Sequence, residues 1–144
     1  MKIYKQKDYT FIKLVFSIFI VAMVFGVILY AINCAKPTVK NDTLKISGLY
    51  KVELKIDEIQ DITLKDELPN GFHKSNGIDL FGRAYLGNYT AENYDKIKAC
   101  VLSGKAPYIY ITTKNDEVKY IILNLKDKAQ TEEMYNAISS KIKK

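Results

Sequence analysis

Few residues in this sequence have the types and spacing that catalysis requires. His73 is the only histidine, and it could act as a general base or a pH sensor, but a single histidine in the 69–77 loop is more simply a solvated side chain. Cys100 would be a nucleophile only beside a base and in an electropositive, partly exposed setting, whereas its neighbours predict a strand. The sequence therefore predicts no catalytic residue, and we expect a protein that is not an enzyme.

One group of residues has the composition of an anion-binding loop. Lys74, Ser75, Asn76 and Gly77 follow one another in a glycine-rich segment, and Arg83, the only arginine of the chain, comes soon after. Successive backbone N–H groups in such a loop can form a nest that accepts an anion, and arginine is the usual partner of phosphate and carboxylate groups. The alternative is that Asn76 and Gly77 simply form a turn with positive φ. These five residues are the candidate ligand site.

Composition argues against several other classes of site. With two cysteines and one histidine, the chain lacks the clustered ligands of a structural metal site, and we expect neither a metal nor a cofactor. The formal net charge of +6 arises from four lysines against one aspartate before residue 14, and from 18 bases against 15 acids after it. Because the two signs are interspersed after residue 14, the charge is not the footprint of a nucleic-acid-binding surface. We expect no nucleic-acid partner.

An apolar segment near the N-terminus predicts a membrane helix. Residues 14–33 carry no charge, and a helix of that length spans about 30 Å, the thickness of the hydrocarbon core of a bilayer. The alternative is a cleaved signal peptide or lipoprotein signal, but the apolar region of such signals is usually shorter and cleavage follows small residues, whereas Asn33 precedes Cys34 here. The segment therefore favours an uncleaved, single-pass anchor embedded in the lipid bilayer of the cell membrane.

The distribution of lysines favours a folded domain outside the cytoplasm. Four lysines precede residue 14, and three follow the apolar segment within the window that determines orientation, so the positive-inside rule places the N-terminus in the cytoplasm. The predicted organisation is a basic tail at 1–13, a transmembrane helix at 14–33, a linker at 34–43 and a folded domain at 44–144.

The folded domain has the patterning of a β-rich unit that ends in one helix. Apolar and charged residues alternate over 50–56, which is typical of a half-buried strand, and further strands are predicted near residues 44–46, 62–64, 96–102, 108–113 and 118–125. The glycine-rich stretch 67–88 indicates hairpins and loops with short strands between them. A helix is predicted from about Lys128, because Asp127 suits the N-cap and Gln130 would complete a capping box.

This outline and several short motifs resemble the bacterial PH domain family, the pleckstrin-homology-like domains of membrane proteins from Gram-positive bacteria. The matching motifs include, in chain order, Gly48-Leu49-Tyr50, Leu68-Pro69, Lys74-Ser75-Asn76-Gly77, Gly87-Asn88-Tyr89, Pro107-Tyr108-Ile109-Tyr110-Ile111 and the stretch Thr131–Tyr135. The resemblance spans about residues 44–142. It implies a PH-like barrel of about six or seven antiparallel strands with one C-terminal α-helix, and it implies no catalytic residues. Members often carry more than one transmembrane helix, so their topology is not implied for this chain.

The sequence thus favours a membrane-anchored, non-catalytic PH-like module that binds a protein, a peptide or an anionic component of the cell envelope. An exposed sheet edge would be a docking surface by β-augmentation. The alternative is a small regulatory or structural subunit whose transmembrane helix associates with a larger membrane complex. Ala22 and Gly26 lie four residues apart in that helix and form a small-xxx-small face of the kind that membrane helices use for pairing.

Overall fold

The computed structural model describes residues 9–142, and contacts divide the chain into two units, Met1–Tyr30 and Ala31–Lys144. The first eight residues of the predicted basic tail lie outside the described residues.

One long helix, α1, covers Thr10–Cys34. Its residues up to Tyr30 belong to the first unit. Its 25 residues measure about 37 Å, somewhat more than the predicted segment. Most large apolar side chains of α1 are 42–74% exposed, whereas Ile28 is half-buried and Ile32 is buried near the end of the helix. Such wide apolar exposure is expected for a helix that meets lipid. The described chain therefore has one helix that is long and apolar enough to cross a membrane.

The second unit begins with a small antiparallel sheet of three strands, β1 (Pro37–Lys40), β2 (Thr43–Ile46) and β3 (Val52–Lys55). Asn41 and Asp42 join β1 to β2 with φ values of 47° and 58°, the left-handed conformations that a tight two-residue hairpin turn requires. Strand β1 occupies part of the segment predicted as a linker. Its sequence has no alternation of apolar and polar residues that would predict a strand. The segment is a strand because it pairs with β2.

The larger sheet has six strands in the order β4-β8-β9-β7-β6-β5. These are β4 (Ile59–Lys65), β5 (His73–Asp79), β6 (Tyr85–Ala91), β7 (Tyr94–Val101), β8 (Tyr108–Thr113) and β9 (Tyr120–Asn124), with a 3-10 turn at Ile56–Glu58 before β4 and helix α2 at Lys128–Ile142. The prediction of a mostly β fold with one C-terminal helix is confirmed.

The predicted barrel of six or seven antiparallel strands was wrong. The described residues form nine strands in two sheets, and the six-stranded sheet is not closed. One pair of neighbours, β7 and β9, is parallel. This pair arises because the chain leaves β7, passes over the end of β9 to form β8, and returns through a hairpin to place β9 between β7 and β8.

A single side chain holds the crossover loop, residues 102–107. Asn124 ends β9 and is fully buried. Its Oδ1 accepts the backbone N–H groups of Leu102 and Ser103 at 2.9 and 3.1 Å, and its Nδ2 donates to the carbonyl oxygens of Ser103 and Lys105 at 2.8 and 3.0 Å. The carboxamide therefore replaces the strand partners that this loop lacks.

One face of the larger sheet carries a tyrosine-rich core. Its buried members are Tyr89, Ile97, Ala99, Val101, Tyr108, Tyr110 and Ile122. The hydroxyl of Tyr89 donates to the carbonyl of Ile78 at 2.6 Å, and that of Tyr110 donates to the carbonyl of Glu67 at 2.8 Å. Burial raises the pKa of both phenols, so both stay neutral and act as hydrogen-bond donors in the core.

The opposite face carries apolar, mostly aliphatic residues, and the small sheet and α2 contribute further buried side chains to the domain. The buried residues of this face are Leu86, Cys100, Ile109, Ile111, Ile121 and Leu123. In the small sheet, Leu44 pairs with Leu54 and Ile46 with Val52, and all four are buried. Helix α2 contacts β1, β4, β8 and the 3-10 turn.

Asp127 caps α2 as predicted, since its Oδ1 accepts the N–H of Ala129 at 2.8 Å. The second part of the cap comes from Thr131 instead of the expected Gln130. The buried Thr131 hydroxyl accepts the N–H of Leu125 at 3.0 Å and donates to the carbonyl of Asp127 at 2.9 Å, so it ties the start of the helix to the end of β9.

The thiol of Cys100 is expected to be unreactive in the folded protein. Burial raises its pKa to about 12, so at pH 8 its thiolate fraction is roughly a thousandfold below that of an ordinary cysteine. In a Cys34→Ser background, a maleimide should label the chain only after denaturant is added. Rapid labelling of the native protein would show that Cys100 is accessible and that this part of the core is not packed as described.

Candidate binding edge

Four of the five candidate ligand residues lie on one strand instead of in a loop. Lys74, Ser75, Asn76 and Gly77 belong to β5, whereas Arg83 lies in the turn beyond the other end of that strand. At about 3.4 Å per residue of strand, Lys74 and Arg83 are roughly 15 Å apart or more. The structure brings the first four residues together and does not bring Arg83 to them.

The predicted anion nest does not form at these residues. A nest needs left-handed backbone conformations, but neither Asn76 nor Gly77 has a positive φ, so the alternative of a positive-φ turn was also wrong. The glycine has a different role. A Cβ atom at Gly77 would lie 2.1 Å from the carbonyl oxygen of Leu86, so residue 77 must lack a side chain for β5 to approach β6 closely.

Strand β5 forms one edge of the larger sheet. It pairs with β6 on one side, and within residues 9–142 no strand pairs with its other side. An antiparallel strand directs alternate N–H and C=O groups to its two sides, so the outer groups of an edge strand remain open to another chain. The residues from His73 to Asn76 are exposed, and Gly77 and Ile78 are half-buried.

A register shift divides this edge. Lys74 pairs with Tyr89 and Asn76 with Asn88, which leaves Ser75 without a partner on β6. Such a bulge bends the strand, and together with a lysine it is a common device that keeps edge strands from pairing indiscriminately. The regular part of the edge is therefore Asn76–Asp79, which pairs with Tyr85–Asn88 on its inner side.

His73, at the start of β5, forms hydrogen bonds with both of its ring nitrogens. Its Nδ1 lies 2.6 Å from the carbonyl oxygen of Gly71, and its Nε2 lies 2.8 Å from Oγ1 of Thr90. Because a carbonyl only accepts, Nδ1 donates in the neutral ring and Nε2 accepts from the threonine hydroxyl. His73 is exposed, as expected, but it lies on a strand, and its ring links the preceding loop to β6.

A small hollow adjoins the edge. It has a volume of about 210 Å³, and Ser75, Asn88, Thr90 and Lys98 are among the residues that line it. A larger cleft of about 700 Å³ lies near the β1–β2 turn and the end of α2, where Lys141 forms an ion pair with Asp42 and Lys114 Nζ donates to the carbonyl of Asp57 at 3.0 Å. The smaller hollow is the one that includes a residue of β5 in its lining.

Comparisons with known proteins give no relative. No protein-family model matches the chain, and no curated protein or solved structure matches it either. The resemblance to the bacterial PH domain family therefore stays a prediction.

Proposed function

We propose that this protein is a membrane-anchored, non-catalytic binding module that takes up an extended peptide segment at the open edge of β5. The observation that carries the proposal is the accessible edge itself. A peptide that adds a strand there gains main-chain hydrogen bonds from the outer N–H and C=O groups of β5, and this mode of recognition needs no preformed deep pocket.

The side chains around the edge supply selectivity for such a peptide. Alternate residues of an added strand face the same side of the sheet, so one of them would reach the hollow lined by Ser75, Asn88 and Lys98. Lys74 is exposed on the strand and favours an acidic residue in the ligand. In this proposal Lys74 to Gly77, four of the five residues first assigned to an anion loop, act as a strand edge.

The anchor in the proposal is α1. Its apolar surface on all sides supports a helix embedded in lipid, and the lysine distribution supports a domain outside the cytoplasm, in the cell membrane of a bacterium. The PH-like family remains part of the proposal. The absence of catalysis is supported by the buried thiol of Cys100 and by the two hydrogen bonds that occupy the ring of His73.

The edge is testable with peptides selected against the full chain in lipid nanodiscs. Random peptides displayed on phage are enriched on loaded discs against empty discs, and the best peptide becomes the probe. We expect its binding to slow amide hydrogen exchange within residues 73–79, because outer N–H groups of β5 become hydrogen-bonded.

A matched pair of variants separates the edge from general charge effects. Ser75→Lys with Asn76→Lys adds two charges to the open edge and should weaken peptide binding by about tenfold or more, the effect of losing one or two main-chain hydrogen bonds. Gln60→Lys with Asp61→Asn makes the same net charge change of two on β4, at the other edge, and should leave binding unchanged. Protection confined to the cleft near Lys114 and Lys141, or no enriched peptide, would contradict the proposal.

A second candidate function rests on the small-residue face of α1. Apart from the backbone of the helix itself, no described atom lies within 4 Å of a Cβ built at Gly26, so Ala22 and Gly26 leave room for the backbone of another membrane helix. If the protein is a subunit of a larger membrane complex, crosslinks to its partners should disappear when α1 is replaced by an unrelated anchor. Binding through β5 should survive that replacement.

A further inference from the structure

Two exposed apolar side chains outside α1 lack an explanation in the fold. Among the described residues after Tyr30, the strongly exposed large hydrophobic residues are Leu49, which is 65% exposed, and Phe81, which is 94% exposed. Single exposed apolar residues are ordinary on protein surfaces. These two differ because both lie at the end of the domain where the chain leaves α1.

The contacts of the adjacent residue, Gly48, locate Leu49 in the fold. A Cβ atom at Gly48 would lie 3.2 Å from the backbone nitrogen of Ala35, the residue that follows the end of α1. The side chain of Lys126, just beyond β9, donates to Oδ1 of Asn33 at 3.4 Å. The β2–β3 connection and the end of β9 therefore both lie beside the residues through which the domain joins the helix.

The position of Phe81 follows from strand register. Strand β7 is parallel to β9, so the two end at the same side of the sheet, and Tyr85 at the start of β6 pairs with Val101 at the end of β7. The turn that contains Phe81 immediately precedes Tyr85. A Cβ atom at Gly104 would lie 2.1 Å from the carbonyl oxygen of Gly82, so this turn and the crossover loop touch at the same end of the domain.

Neither packing nor backbone conformation favours phenylalanine at position 81. Its φ is 48°, in the left-handed region that is costly for a bulky side chain and that glycine or asparagine adopts more readily. Its ring is almost fully exposed, so it gains no burial within the chain. The residue therefore suits a surface outside the protein.

The charged groups around Phe81 and Leu49 suit an anionic surface. Arg83, Lys105 and Lys126 are exposed on the connections at this end. The nearby carboxylates already accept backbone hydrogens, Asp79 from Gly82 at 3.3 Å and Asp127 from Ala129 at 2.8 Å. Asp66 and Glu67 belong to the loop that leaves β4, at the far edge of the sheet.

We infer that this end of the domain is a membrane-contact face, in which Phe81 and Leu49 enter the interface of the bilayer and Arg83, Lys105 and Lys126 contact anionic lipid headgroups. Aromatic and aliphatic side chains beside basic residues are the combination by which peripheral segments bind lipid surfaces. The inference rests on the proposed anchoring of the chain by α1. It adds that the domain lies against the membrane instead of standing free of it.

The test uses the absence of tryptophan from the natural chain. Single-tryptophan variants of the full chain are reconstituted in vesicles that contain brominated lipids, which quench tryptophan only on contact. Phe81→Trp reports the proposed face. Asp116→Trp, in the exposed β8–β9 turn at the opposite end of the sheet, is the matched control, and Phe19→Trp reports the membrane helix.

We expect strong quenching of Phe19→Trp, at least about twofold more quenching of Phe81→Trp than of Asp116→Trp, and a larger difference in vesicles with anionic lipid. Adding Arg83→Gln and Lys105→Gln to Phe81→Trp should lower the ratio of docked to free domain about fivefold for each charge removed. Equal quenching at positions 81 and 116 beside a quenched position 19 would overturn the inference and leave the anchor intact. An unquenched position 19 would overturn the anchor, and with it this inference.

Discussion

Asn124→Leu is expected to destabilise the folded domain by about 3–5 kcal/mol. Leucine has the same branching pattern as asparagine and is somewhat larger, so the substitution opens no cavity, and the effect comes chiefly from the lost hydrogen bonds. Two N–H groups and two carbonyl oxygens of the crossover loop lose their partner, at about 1 kcal/mol or more for each buried group. Since whole domains are stable by only about 5–15 kcal/mol, the variant should be close to unfolding at ordinary temperature.

Denaturant unfolding of the full chain in detergent micelles, followed by circular dichroism, measures this effect. Asn115→Ala is the matched control, because Oδ1 of Asn115 accepts one N–H, that of Glu117 at 2.9 Å, in the β8–β9 turn. That variant should lose about 1 kcal/mol or less. If the two substitutions cost the same, the carboxamide of Asn124 does not hold the crossover, and the parallel placement of β7 beside β9 needs another cause.

The elements that the sequence predicted well are those with strong local signals. The apolar run at 14–33 carries no charge, which is not the pattern of a helix on the surface of a soluble domain. Helix α1 covers this run entirely. The strand at 108–113 has the predicted bounds, because an uninterrupted run of β-branched and aromatic residues ends at a polar turn. The N-cap at Asp127 was predictable for the same reason, since capping depends on residues that are adjacent in sequence.

The order of the strands was not predictable from the same signals. Alternation of apolar residues assigns a side chain to a face, but it does not say which strand lies next to which. The sequence therefore contained one feature that could have indicated the parallel pairing of β7 with β9. That feature is Asn124, a polar residue directly after the apolar residues Ile121, Ile122 and Leu123. A buried carboxamide must find partners in the fold, and that requirement was the available hint of the crossover.

The candidate site shows a related ambiguity. Glycine and asparagine predict turns because they tolerate positive φ, and Lys74 to Gly77 were interpreted in that way. Gly77 is instead needed because its Cα faces Gly87 across a close strand pair. The sequence thus located an accessible segment but not its conformation, since one glycine can serve a turn or a close approach of two backbones.

The second large effect concerns α1, on which the account as a whole depends. Phe19→Lys with Met23→Lys places two charges near the middle of the helix, at a cost of about 2.5–3.5 kcal/mol each for insertion. We expect the natural chain to remain in membranes and the double variant to be recovered largely outside them. Leu14→Lys, near the N-terminal end of the apolar run, should have little effect because its side chain can extend to the interface.

The most direct measurement is the intact mass of the natural chain recovered from membranes of expressing cells after an alkaline wash. We expect one washed-membrane species whose mass includes α1. A shortened species that begins after residue 33 and is released into the soluble fraction would contradict this expectation, because the folded domain would then act without an anchor.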